Sequence, residues 1–201
     1  MATGEIPTRP ISERLPQSLQ AVLDDLDKSD REARRIIDSV SDTQANWQPS
    51  DTSWSIAQCI DHLARTNRIY ATTLLEAIRA SSARKQPFNG PIRTGFLTGS
   101  FLRSLEPPPK GKSKSPKNIL PASTTPKDEA LQAFLRSHDG LRVVIREGAA
   151  VDLNRTHFRN PFLKFLRFPV GAGLLIITAH DRRHLWQAEQ VRNSAGFPAA
   201  Y

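Results

Sequence analysis

Trp54-Ser55-Ile56-Ala57-Gln58-Cys59-Ile60-Asp61-His62-Leu63 marks the start of a helix. Ser55 and Gln58 have the capping-box spacing, in which the serine hydroxyl takes the Gln58 amide and the glutamine side chain reaches back. Trp54 and Cys59 fall where a hydrophobic staple would place them. Ile56, Cys59, Leu63, Tyr70, Leu74, Ala77 and Ile78 then recur at spacings of three and four, predicting one apolar face out to about residue 82.

Three other segments carry the same period. Over about residues 12–40, Leu15, Leu19, Val22, Leu23, Leu26, Ile36, Ile37 and Val40 share a stripe. Residues 41–53 break the pattern with Asp, Thr, Asn and Pro49. A third helix is expected from Thr125-Pro126-Lys127-Asp128, with a capping hydroxyl, a proline at the first position and an acid in the first turn. Leu131, Phe134, Leu135, Leu141, Val144 and Ile145 carry it to about residue 147. The fourth runs over about 170–193, after a loop around 154–161. Almost nothing reads as a strand. The expectation is all-α: one domain over 1–201, a four-helix bundle with a long crossover between its second and third helices.

That crossover, residues 83–125, is rich in proline and base. Proline has no amide to donate and interrupts helices, which leaves room for one short helix around 94–105. Arg84, Lys85, Arg93, Arg103, Lys110, Lys112, Lys114 and Lys117 face only Glu106, and they account for most of the formal charge of +8. Clustered lysines in a proline-rich connection read as a solvated surface. No helix has a basic face, and the 110–117 run has no interleaved aromatics, so no specific nucleic-acid partner is expected. A connection of this length either covers something or is an excursion into solvent.

With 38% apolar and 24% charged residues the composition is that of a globular protein. Residues 1–16 have no apolar h-region and suggest no secretory signal. The apolar run at 169–179 is too short to cross a bilayer, so no membrane partner is expected. A lone cysteine, Cys59, excludes an internal disulfide and suits a reducing, cytoplasmic setting.

The chemistry centres on histidine. His180 and His184 are four apart in a strongly helical segment, so both imidazoles project from one face and can hold the same ion. Ile176, Ile177, Ala188 and Val191 lie on that side, which turns the pair toward the core. The spacing is that of a metalloprotease helix, but Asp181 stands where the catalytic glutamate would, one methylene too short for that mechanism. His62, beside core positions Cys59 and Leu63, is the best candidate for a third ligand. Taken alone, it also suits an ordinary core or surface histidine. Cys59, three residues earlier, could complete a closed and therefore structural site. Gln187, three beyond His184, can orient a ligand or a water beside a metal, or simply end the bundle face. Asp61, Asp181, His138 and His157 are expected at the surface, and Trp186 in packing.

Trp47-Gln48-Pro49, the Trp54–Gln58 segment and His62-Leu63 resemble the start of the second helix in the DinB and YfiT family. Ala179-His180-Asp181-Arg182-Arg183-His184-Leu185-Trp186-Gln187 is similar to that family's last-helix segment, and Phe158-Arg159-Asn160-Pro161-Phe162 to the loop before it. The resemblance covers most of the chain, with 83–125 departing in length and charge. It implies a four-helix bundle with a divalent metal, zinc or nickel, on His62, His180 and His184.

The family's known activities imply a small-molecule substrate and a low-molecular-weight thiol as cosubstrate in an S-transferase, or else hydrolysis. Three neutral imidazoles leave the ion's charge undiminished, so a bound thiol or water would lose its proton near neutral pH. The alternative is a non-catalytic metal-binding stress or binding protein with the same bundle. A homodimer would be unsurprising, although no surface stripe specifies one.

Overall fold

In a computed structural model, described here for residues 15–81, 86–109, 111 and 115–199, the four expected helices form. They are α1 (Gln17–Asp38), α3 (Ile56–Ala80), α5 (Lys127–Gly148) and α6 (Val170–Arg192), joined by short α2 (Asp42–Asn46) and α4 (Phe96–Leu105) and a 3-10 turn, Lys117–Ile119. Residues 12–14 of the first expected helix lie outside the described set. α3 packs most extensively on α5 and next on α6, while α1 closes the bundle against both.

Local chemistry sets the ends. Ser55 accepts from the Gln58 amide at 3.2 Å and the Ser55 amide donates to Gln58 Oε1 at 3.0 Å, so the expected capping box forms at α3. Ser41 and Gln44 repeat it at α2, a helix too short to leave a periodic trace. At α5 the expectation needs correcting. Pro126 is itself the N-cap and no side-chain hydroxyl caps the helix. The Lys127 amide donates instead to Asp42 Oδ1 of α2, at 2.9 Å.

A two-stranded antiparallel hairpin, β1 (His157–Arg159) and β2 (Arg167–Pro169), precedes α6. The segment leading into it supplies carbonyls to that helix's first amides: Val170 N donates to Thr156 O and Gly171 N to Leu153 O. Asn160 is buried in the hairpin loop, accepting from the Phe162 and Leu163 amides and donating to Tyr70 Oη. Gly173 lets α6 approach closely, for a Cβ there would stand 2.7 Å from Phe158 Cε1 and 2.8 Å from Leu74 Cδ2.

The core is divided. One apolar cluster includes Leu19, Val22, Leu26, Leu74, Ile78, Leu141, Ile145 and Leu174. The other includes Ala33, Ile36, Ile60, Leu63, Phe134, Leu185 and Ala188. Along every long helix the change of cluster coincides with buried polar side chains: Ser29 on α1, Thr66 and Asn67 on α3, Ser137 and His138 on α5, and Thr178, Asp181 and His184 on α6. No helix of the described residues is long and apolar enough to cross a membrane.

Candidate metal centre

His62 lies in the second turn of α3, on the face that carries Cys59 and Leu63, and is 1% exposed. His180 and His184 project from α6 toward it, His184 buried and His180 partly exposed. Each offers a nitrogen within 4.8 Å of the others, a set able to hold one metal ion. His62 Nε2 and His180 Nε2 are 3.3 Å apart.

Two of the rings are fixed from behind. His62 Nδ1 donates to the carbonyl of Ile119, at 2.8 Å, which leaves its Nε2 as the bare nitrogen. His184 Nδ1 lies 2.9 Å from Gln187 Oε1 and donates to it, with the same result. His180 has no such support, since its Nδ1 is buried without a hydrogen-bond partner among the described residues. The Trp54 ring covers two of them, tilted on His62 at 4.7 Å and stacked on His184 at 5.6 Å between centroids.

All three imidazoles are neutral at physiological pH. Burial lowers the His62 pKa, opposed by the bond to Ile119 and the charge of Asp61. Burial, then the charges of His184 and His62, hold His180 well below its usual value. Burial followed by His62 takes His184 down to about 3, against the Gln187 bond. Neutral rings are what a cation requires, because each must present a lone pair.

The crossover covers this site. Besides the Ile119 contact, the Ala122 amide donates to Asp61 Oδ2 at 2.9 Å, and Gln58 Nε2 reaches the Ala122 and Ser123 carbonyls at 3.2 Å. Lys110, Lys112, Lys114, Arg84 and Lys85 lie outside the described residues, while Lys117 is exposed as expected.

The structure makes Cys59 a core residue and overturns three surface expectations, those for Asp61, Asp181 and His138. Cys59 does not join the histidines. It is wholly buried in the apolar cluster around Ile60 and Phe134, where burial pushes its thiol pKa up. Asp61 and Asp181 are 7% and 0% exposed rather than solvated, and His138 is 0% exposed rather than at the surface. His157 is exposed, as expected.

Asp181 accepts from Asn67 Nδ2 at 2.9 Å and from His138 Nε2 at 3.1 Å. His138 Nδ1 approaches Asp30 Oδ1 at 2.7 Å, a charge contact out of line for a good hydrogen bond. Arg142 reaches Asp30 Oδ2 at 2.6 Å. Each buried charge therefore has a partner, which is the condition for leaving water. Burial alone would lower the His138 pKa, but Asp181 and then Asp30 raise it to about 9. A sequence signal existed: His138 falls between Phe134 and Leu141 on the apolar stripe of α5.

A four-helix bundle whose second and last long helices converge three imidazoles under a crossover defines a class of helical proteins able to hold one metal ion. The model of the DinB superfamily matches residues 13–188, and the chain belongs to that superfamily. Among solved structures it is similar to YfiT from Bacillus subtilis, a probable metal-dependent hydrolase with an unusual four-helix bundle topology. That match has a TM-score of 0.57 and 13% identity and covers 92% of this chain and 91% of that one. At this identity the likeness shows the fold. Curated proteins give no match to the chain.

Proposed function

We propose that the chain is a metal-dependent enzyme in which His62, His180 and His184 hold one divalent ion, zinc or nickel. It would transfer a nucleophile, water or a small thiol, to a small-molecule electrophile. The observation that carries this is the convergence of the three rings, two of them with their outer nitrogens hydrogen-bonded so that the inner ones are bare. Two ligand nitrogens of a tetrahedral ion, with bonds of about 2.0–2.1 Å, stand roughly 3.3 Å apart. The His62 and His180 Nε2 atoms have that separation. Three protein ligands leave a position open, as in catalytic rather than structural sites. Such an ion lowers the pKa of what binds there.

The two nucleophiles differ in their needs. A hydrolase usually adds a base for the water, yet Asp61 is taken up by Arg65 and the Ala122 amide. Asp181 is taken up by Asn67 and His138. A thiol needs less help, since its own pKa is already near 8.5. This favours thiol-dependent transfer, whereas the description of the YfiT structure favours hydrolysis. We read the 201 residues as one domain, acting in a reducing cytoplasm that would suit the lone Cys59.

Elemental analysis of the purified protein, with His62→Ala and His184→Ala, tests the centre. Near one equivalent in the wild type and loss in both variants is expected, and equal content in all three would remove the proposal. Turnover of an electrophilic acceptor with and without added small thiols then separates transfer from hydrolysis. Absence of both would leave a metal-binding protein.

A further inference from the structure

Arg182 and Arg183 are neighbours on α6 with opposite surroundings. Arg182 reaches Glu106 through two nitrogens and Asp25 at 3.2 Å. Arg183, also partly buried, ion-pairs with none of the described acids. Its Nη1 donates to the Ser104 carbonyl at 3.0 Å and its Nη2 to the Gly111 carbonyl at 3.1 Å. Burial lowers the Arg183 pKa with no carboxylate to oppose it, whereas Glu106 raises that of Arg182. Two surface carbonyls thus hold the guanidinium while none of the described carboxylates neutralises it, which leaves it open to an anion from solution.

The place of that charge gives it meaning. Arg183 is three residues beyond His180, hence on the neighbouring strip of helix surface, and one before His184. Its charge contributes to lowering both imidazoles. The acids nearest the histidines in sequence are already engaged, Asp61 by Arg65 and Asp181 by His138. Three neutral ligands would leave a divalent ion's charge whole, and the acid charge felt at His62, that of Asp61, is shared with Arg65. The two carbonyls hold the guanidinium in place through Nη1 and Nη2, two of its three nitrogens.

We propose that Arg183 anchors an oxyanion, a carboxylate or phosphate group, on the substrate of the three-histidine centre, making small anionic molecules the substrate class. This rests on the function proposed above. The bland role is a clasp that only ties residues 104–111 to α6, and the test separates the two. Inorganic phosphate, acetate and neutral acetamide are titrated calorimetrically into zinc-loaded protein: wild type, Arg183→Gln and Arg183→Lys. Metal content and thermal melts accompany each titration.

Phosphate or acetate should bind the wild type and acetamide should not; whichever anion binds tells phosphate from carboxylate. Arg183→Gln should keep its metal but bind the anion at least about tenfold more weakly, as loss of a charged hydrogen bond predicts. Arg183→Lys should fall between, keeping the charge and losing the planar fork. Unchanged anion affinity in Arg183→Gln, or no anion binding by loaded wild type, overturns the anchor. If the wild type takes up no zinc, the metal reading fails instead, and the same titrations on metal-free protein decide the anchor. An Arg183-dependent phosphate signal would support it, and its absence would overturn it.

Discussion

His184 and Gln187, one turn apart on α6, are joined by a 2.9 Å hydrogen bond from the ring's Nδ1 to the amide oxygen. The bond fixes both tautomer and ring orientation. Replacing Gln187 with Met removes the acceptor and should weaken metal affinity about 10–100-fold. Gln187→Glu, which still accepts, should stay near wild type. Competition with a chromophoric chelator measures both.

His138 should be charged at neutral pH. Its folded pKa, about 9, lies above the ordinary value of 6.5. The stability it contributes is therefore fully present below pH 6.5 and is lost as pH rises through about 9. Urea denaturation of wild type and His138→Gln across pH 6–10 should show the difference between them shrinking toward alkaline pH. An NMR titration of the ring should give the midpoint directly. His138→Ala strands Asp181 and should cost about 3–5 kcal/mol near neutrality.

Gly173→Ala places a methyl group where Phe158 and Leu74 already stand. Overpacking of this kind should destabilise by about 1–3 kcal/mol in chemical denaturation. Because Phe158 is on the hairpin and Leu74 on α3, the hairpin amides should also lose hydrogen-exchange protection.

Gln58 joins the α3 cap to the crossover carbonyls of Ala122 and Ser123. Gln58→Leu should loosen residues 115–123, seen as faster proteolysis there. It should also weaken metal retention, because Ile119 in that stretch holds His62.

The long helices were legible because leucine and isoleucine at spacings of three and four leave a period that packing then uses. The Ser55–Gln58 box was legible because both its partners are local. α2 was not, since five residues hold no period, although its Ser41–Gln44 pair repeats the same signal. The hairpin rests on Phe158 facing Phe168 ten residues away, a pairing with no local mark. The convergence of His62 on the α6 pair was anticipated from resemblance and spacing, but its anchor, the Ile119 carbonyl, belongs to the backbone and has no signature in residue type. Asp61 and Asp181 were misplaced by the default that charged groups face water, and His138 by its place near the helix-interior Gly140. That default fails where each charge meets another.

The split core has a consequence for how the helices align lengthwise. Asp30, Asn67, His138 and Asp181 come from four different rods and meet at one height. Sliding any rod by a turn, about 5.4 Å, would set an ionised group against hydrocarbon and strand its former companion. Hydrocarbon faces alone tolerate such slippage far better, so this level acts as a ruler. It holds His180 and His184 opposite His62, and the imidazoles inherit their alignment from charges that take no part in binding.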